Sequence, residues 1–579
     1  MEIETLHLNG AGAVVHEDEE LCNETHSEED VLADQDWVHM TVEGQSRQRV
    51  LAVCDWIVDR LERHAGGTVA LVLLLIFVIA LGQSANKLLW FDELITLKTA
   101  FLPHWSDVWN FYNNGLDTTG PVPSMIARVG LLLPTSPELV SRLPFTFAYL
   151  VMCFSMYSFV HRRYPAVYAL AAPIFSLNYA FFSYATEARA YALVLAGCGI
   201  AMLSWQSAVS GLHRRWSVFG IWLGLAFAIE AHAFAIFLLA PFAVAQLTRD
   251  LKRKEADLAV WMALTLSPAG LLPVLHGELL AKKIYGTNFW SQPNFESLFK
   301  SYSEFVSGGS SYLKILLFVA IGAALLHWRS RSQSKMRGFS TPEWILVSML
   351  VLLPAFSVLA SYPLHVYVAR YAVGCNIGMV VLSIALVAEA ARRSRYSGAV
   401  LLVLFLFAAA HSRFGEFVQG LHALVHPGRV HENLQVRYNN LEWVKLLERS
   451  SLPVVTDNIS LDSQFEFYAS SKLQQRLYGV TDIEDISKYP RTTTFQLNLV
   501  YFGGRILRQT QDIADFLPEH PHFLQMAEPS EIGWLLPYLA AQQAAGSASS
   551  VCLGPANCTG RTGVYEVQFT KIPVLAESK

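Results

Sequence analysis

The chain has 579 residues, of which 53% are apolar and only 16% charged. A soluble chain of ordinary composition carries roughly a quarter charged residues, so a wholly soluble protein is excluded. The net charge of −5 decides little, because the charges are unevenly placed, and no nucleic-acid partner is expected.

Residues 1–48 open the chain with the acidic runs Glu17-Asp18-Glu19-Glu20 and Glu28-Glu29-Asp30, and no Lys or Arg lies before Asp36. So few large apolar residues cannot offset the entropy of ordering, which predicts a disordered acidic cytoplasmic tail. A signal peptide would begin with positive charge ahead of an apolar core. Residues 49–67 read as an amphipathic juxtamembrane segment, with Arg49, Arg60 and Arg63 just ahead of the first span. Apolar runs then recur over residues 68–415, at about 68–84, 141–160, 166–183, 188–209, 216–231, 233–248, 258–276, 312–328, 343–361, 369–390 and 397–415. Runs of this length suit a hydrocarbon layer of about 30 Å, which predicts about 11 transmembrane helices.

The segment 121–133 holds Arg128 and two early prolines. At about 13 residues it is too short to cross as a straight helix. The basic loops follow at Arg162-Arg163, Arg214-Arg215, Arg249 to Lys254, Arg329 to Arg337 and Arg392 to Arg395. With 121–133 on the surface, all of them fall on the N-terminal side, the cytoplasmic side by the positive-inside rule. Residues 86–140 are then a first outer loop with juxtamembrane helices, and residues 416–579 an extracytoplasmic domain. The same count brings this loop, the Glu187-Ala188-Arg189 turn, the His232 link, residues 277–311 and Pro363 to Tyr371 to the outer face.

Trp90-Phe91-Asp92-Glu93 sets two carboxylates beside the first span: a solvated helix end, or an acid–base or cation-binding pair. Sugar transfer to a hydroxyl needs a carboxylate that takes the proton as the new bond forms. Nearby anions stabilise its oxocarbenium-like transition state, and arginines match a leaving phosphate. Arg142, Arg189 and Arg370 are available on the outer face. Arg370 is otherwise a snorkelling span-end residue, Glu187 and Arg189 a structural pair, and His232 a packing histidine, while Arg142 otherwise begins its helix. Glu230 and Glu389 are charges within the apolar runs.

The ordered set Trp90-Phe91-Asp92-Glu93, Thr96, Gly120-Pro121-Val122-Pro123, Arg142-Leu143-Pro144, Glu187-Ala188-Arg189-Ala190-Tyr191 and Arg370-Tyr371 resembles the dolichyl-phosphate-mannose protein mannosyltransferases and their bacterial relatives, the lipid A aminoarabinose transferases. All are GT-C membrane glycosyltransferases. The resemblance covers about Thr68 to Gly415. It implies a polyprenyl-phosphate sugar donor, inversion at the anomeric carbon, and transfer to a lipid, glycan or protein acceptor at the cell envelope. It implies Asp92 as catalytic base with Glu93 in support. Arg142, Glu187, Arg189, Tyr191, His232, Arg370 and Tyr371 would bind the lipid phosphate and donor. A divalent cation at Asp92 and Glu93 stays open. The chain departs from the family where Asp117-Thr118-Thr119-Gly120 stands in place of a basic residue or His-Pro-Pro. It also lacks the large luminal insert of the eukaryotic enzymes, which favours the bacterial branch and an inner-membrane location.

Beyond Arg429 the composition turns soluble. Leu452 to Thr456, Leu497 to Phe502 and Val564 to Thr570 are predicted strands, and 438–450 and 510–518 predicted helices, giving an α/β domain. Cys552 and Cys558 either pair in an oxidising compartment or stay as thiols. The competing classes are a multi-span transporter, which should show internal repeats, and a non-catalytic membrane scaffold.

Overall fold

The computed structural model describes residues 55–117, 119–285, 289–327, 338–482, 493–508, 510–527, 533–554 and 563–571. The expected tail at 1–48, the basic loop at 329–337 and Cys558 fall outside them; Cys552 is disulfide-bonded. Residues 55–60, the described part of a first compact unit, are helical. Everything below concerns the second unit, Leu61–Lys579.

Five described helices are long and apolar enough to cross a bilayer: Ala65–Asn86, Pro137–His161, Tyr191–Val209, Ala233–Arg253 and Arg395–Val425. Four bent pairs raise the number to nine if each is one span. They are Ala166–Phe175 with Tyr179–Thr186, Leu258–Leu271 with Leu275–Tyr285, Phe295–Gly308 with Ser310–Leu325, and Thr341–Val351 with Leu353–Leu364. The breaks have local causes. Pro273 sits in the second, Gly309 in the third, and Pro354 opens the later half of the fourth, each removing a donor or a helical preference. In the first, Asn178 caps a new helix by accepting from Phe181 N at 3.1 Å. The other two expected spans fall on Arg214–Ala231 and the shorter Cys375–Ala390.

At one end of the bundle, polar groups from several loops meet. Arg163 donates to Glu343 at 2.8 Å, Arg162 to Ser207 at 2.7 Å, and Tyr164 to Glu389 at 3.0 Å. At the other end, the first loop forms three short helices, Phe91–Ala100, Trp105–Asn113 and Val122–Gly130. The last has 9 residues, about 14 Å at 1.5 Å per residue, so it cannot cross. Arg128 staples it to the end of Phe91–Ala100 by donating to the carbonyls of Ala100, Leu102 and Pro103.

The first and last spans touch backbone to backbone. A Cβ on Gly82 would lie 1.7 Å from the Glu416 carbonyl oxygen, and one on Gly420 would lie 1.9 Å from that of Val78. Gly82→Val or Gly420→Val is therefore expected to abolish folded, monodisperse protein, read by size-exclusion chromatography, whereas Gly415→Ala, with open space around it, should purify as the native chain does.

Arg395–Val425 runs for 31 residues, about 46 Å, and carries the chain out to a six-stranded sheet in the order β3-β2-β1-β4-β6-β5. β1 (Val454–Thr456) is parallel to β2 (Leu477–Thr481) and β4 (His522–Ala527), and β2 is parallel to β3 (Gln511–Asp512). β6 (Gly563–Phe569) runs antiparallel to β4 and to β5 (Ala548–Gly554). The expected strand at Leu497 to Phe502 is instead helix Thr494–Phe502. Its apolar run is short enough to suit either period, and the helix wins by burying Leu499 and Phe502 against Phe111, Ile95 and Ile459.

The sheet domain is docked on the first loop. Leu89 N donates to the Tyr468 hydroxyl at 3.0 Å and Gln464 donates to Leu89 O at 3.0 Å, while Lys98 pairs with Glu466. Leu89, Leu94 and Leu97 share a core with Leu434, Val444 and Phe465. At this seam Asp462 is buried, and burial, with the Glu466 charge behind it, pushes its carboxyl up to about 7, against 3.8 when free. The folded domain thus holds a proton that the unfolded chain releases. Its stability is full below about pH 4 and falls as pH rises through 7. Asp462→Asn is expected to flatten that slope, read as thermal unfolding at pH 5 and pH 8.

Candidate active site

Phe91–Ala100 starts directly after the first span, and its two leading carboxylates part company. Successive helical residues diverge by about 100°. Glu93 turns into the bundle, fully buried, and takes two hydrogen bonds from Arg142, both 2.7 Å, and one from Ala188 N at 2.9 Å. Burial alone would raise its carboxyl, but the Arg142 charge and hydrogen bonds hold it below the ordinary value. Arg142 spends its other donors on the carbonyls of Ser84, Lys87 and Leu88, at 2.7–3.0 Å. The pair ties the first span, the first loop, the Pro137–His161 helix and the Glu187–Arg189 turn into one joint, and neither residue lines the cavity that Asp92 faces.

Asp92 turns the other way, onto the wall of a cavity of about 340 Å³. Its Oδ2 accepts from Arg370 Nη2 at 2.9 Å and lies 3.8 Å from Arg189 Nε. Arg189 is held in turn by Asp117, at 2.9 and 3.4 Å, and by the Thr96 hydroxyl at 3.3 Å. Arg370 lies 5.0 Å over the Trp90 ring and 5.5 Å over Tyr191, a cation–π sandwich that fixes its fork beside Asp92. The Tyr371 and His232 rings, both lining this cavity, pack at a tilt of 55° with centroids 4.6 Å apart. Asn458 and Asn498, from the sheet domain, close the cavity opposite.

Two further cavities adjoin this one. A polar one of about 490 Å³ shares Trp90 and Arg370 with it and adds Lys87, Lys300, Glu187 and Glu304. Glu187 accepts from Lys87 at 2.9 Å there. An apolar one of about 300 Å³ shares His232, Tyr285 and Tyr371 and is walled by Phe234, Phe237, Leu271 and Leu275.

Asp92, Arg189, Tyr191, His232, Arg370 and Tyr371 therefore line one chamber, Glu187 lines the polar cavity beside it, and Glu93 and Arg142 stand behind. Sequence reasoning did not single out Asp117, Lys87 or the sheet-domain residues. The signal for Asp117 was its place in Asp117-Thr118-Thr119-Gly120, the stretch where the chain departs from the family pattern; nothing local marked Asn458 or Asn498. Among the described residues no group of three or more His, Cys, Asp or Glu could hold a metal ion. Asp92 and Glu93 face apart and each already meets a guanidinium, so this donor set does not fit the divalent cation left open by the sequence.

No family model matches the chain, and no curated protein matches it by sequence. Among solved structures it is similar to ArnT from Cupriavidus metallidurans in the apo state, with a TM-score of 0.51 at 13% identity, covering 87% of this chain and 98% of that one. ArnT bound to undecaprenyl phosphate gives a TM-score of 0.50 with the same identity and coverage. The fold is the GT-C fold of membrane glycosyltransferases. The apolar helices long enough to cross a bilayer make the chain an integral, multi-pass membrane protein. The Archaeoglobus fulgidus oligosaccharyltransferase in complex with Zn and sulfate is more distant, with a TM-score of 0.37 at 9% identity, covering 79% of this chain and 68% of that one.

Proposed function

We propose that the protein is an inverting glycosyltransferase that moves a sugar from a polyprenyl-phosphate donor to an acceptor hydroxyl on the extracytoplasmic side of the membrane. The observation that carries this reading is Asp92: a carboxylate on a cavity wall, ion-paired to Arg370 at the mouth of a second cavity lined by Lys87 and Lys300. ArnT, which shares the fold, binds undecaprenyl phosphate, and the ordered motifs from Trp90 to Tyr371 resemble the same transferases.

Arg370 is the hinge of the chemistry. Its five donors exceed what Asp92 uses, so it can hold a phosphate oxygen while still facing the carboxylate. As the acceptor oxygen bonds to the anomeric carbon, the bond from that carbon to the phosphate oxygen breaks, and the electron pair leaves with the polyprenyl phosphate. The acceptor proton passes to Asp92. The growing phosphate charge draws Arg370 away from Asp92, which raises the carboxylate's basicity as the proton arrives. Displacement from the face opposite the phosphate inverts the centre. Arg189, locked by Asp117, steadies the negative wall that faces the oxocarbenium-like sugar. Tyr191, Tyr371 and His232 shape the chamber, while Glu93 and Arg142 are positioning residues. The positive-inside rule applied to the basic loops supports a cytoplasmic N-terminus and an extracytoplasmic sheet domain.

The test is transfer of radiolabel from polyprenyl-phosphate sugars in membranes that contain the native chain. Label appearing on a lipid, glycan or protein acceptor, and absent from membranes without the chain, is the expected result. Failure with every donor supplied would overturn the reading.

A further inference from the structure

The sheet domain has its own preferred place for a ligand. In open sheets with parallel strands, ligands bind beyond the carboxyl ends of the strands, where the chain's connections diverge to either side. Here that point lies between β1, whose chain moves on to β2, and β4, which returns on the other flank of β1. The residues just past β1 are Asp457, Asn458, Ile459 and Ser460, and the helix that follows β2 begins at Thr494. This end of the sheet opens onto the chamber of Asp92: Asn458, Ser460, Thr494 and Asn498 all line it.

The two carboxamides are built in the same way. Asn458 Oδ1 accepts from Ser460 N at 2.9 Å, and Asn498 Oδ1 lies 2.6 Å from the Tyr285 hydroxyl, whose single proton also faces the Leu116 carbonyl at 3.0 Å. Each oxygen is spent on the fold, and each NH2 is left on the chamber wall without a protein partner among the described residues. On the facing wall His232 accepts from Phe234 N through Nδ1 at 3.3 Å, so its proton sits on Nε2, which is buried and unpartnered. A buried donor such as His232 Nε2 is costly unless something accepts from it. Three neutral donors in a chamber where Asp92 and Asp117 already offset Arg189 and Arg370 suit a polyhydroxylated ring. A volume of about 340 Å³ lies at the small end of ligand pockets, about 300–1,000 Å³.

We infer that Asn458 and Asn498 form the sheet-domain wall of a glycosyl subsite and select the donor by the hydroxyl pattern of its sugar. The inference rests on the transferase reading above. The ring belongs to the donor because the chamber lies between Arg370, where the phosphate is held, and the apolar cavity beyond His232. The anomeric carbon must sit beside Asp92, and the rest of the ring then reaches toward the two carboxamides.

The test uses Asn458→Asp and Asn498→Asp in the purified full chain in nanodiscs. Each substitution keeps the oxygen that the fold uses and removes the NH2. Binding is measured for undecaprenyl phosphate and for undecaprenyl phosphates carrying a glucosyl, mannosyl or aminopentosyl residue. The native chain is expected to prefer one glycosylated lipid over the bare one. Each variant is expected to lose about five- to tenfold of that preference, the size of one or two hydrogen bonds, with binding of the bare lipid unchanged. Unchanged preference in both variants would overturn the inference and leave the transferase reading standing. A native chain that binds the bare lipid but none of the glycosylated ones more tightly would do the same. If the native chain binds none of the four, both readings fall.

Discussion

Asp92→Asn is expected to lower sugar transfer by about a hundred- to ten-thousandfold, the usual contribution of a positioned general base, with the amount of folded protein unchanged. The amide keeps the shape of the carboxylate and still accepts from Arg370, so the 2.9 Å contact has a neutral replacement. What disappears is the place for the acceptor's proton. The loss should fall on kcat with little change in the concentration of donor needed for half-maximal rate, because Asp92 acts on the acceptor hydroxyl in the transition state. Labelled donor in membranes, with immunodetection of the chain as the control for amount, reads both quantities. Equal rates in membranes carrying the native chain and the Asp92→Asn variant would remove Asp92 from the mechanism.

Arg142→Met is expected to unfold the site end of the bundle, although Arg142 does not line the chamber of Asp92. The guanidinium makes five hydrogen bonds, to three carbonyls and both oxygens of Glu93, and both side chains are fully buried. Removing one partner strands the other charge, at a cost of about 3–5 kcal/mol. Glu93→Gln alone should also destabilise, since it strands the Arg142 charge and turns an NH2 toward a donor that now meets a carboxylate oxygen. The double variant, with no buried charge left, should recover part of the thermal stability that Arg142→Met loses, and that recovery separates a charge effect from mere loss of packing. Unfolding temperature in detergent, followed by intrinsic fluorescence, checks the order of the four proteins.

Charges near apolar runs made much of the site visible in the sequence. A charge at a span end must be paired, solvated or functional, and few were present, so Asp92, Arg189 and Arg370 stood out in three segments far apart in number. The structure sets them around one chamber. The division of labour between Asp92 and Glu93 came from the resemblance alone, because adjacent carboxylates look equivalent locally until a helix sends them to opposite sides. Asp117 was hidden among polar loop residues and acquires its role only through Arg189. The sheet domain was read as α/β from its apolar runs, but Leu497 to Phe502 fits a buried strand and a short helix equally well. Its contact with the first loop decides the matter, and no local pattern encodes a contact between residues some 390 positions apart.

The glycine crossing of the first and last spans has a bearing on biosynthesis. Gly82 leaves the ribosome roughly 340 residues before Gly420, an interval of about 20 to 70 s at ~5–20 residues per second. Throughout that time the span that leads into the first loop is in the membrane without the neighbour that fits against its backbone. The last span therefore acts as a completion signal. A chain released early carries most of its spans and Asp92, yet it lacks the helix whose backbone meets Gly82, and membrane quality control would meet it as an unfinished protein instead of a weakly active one.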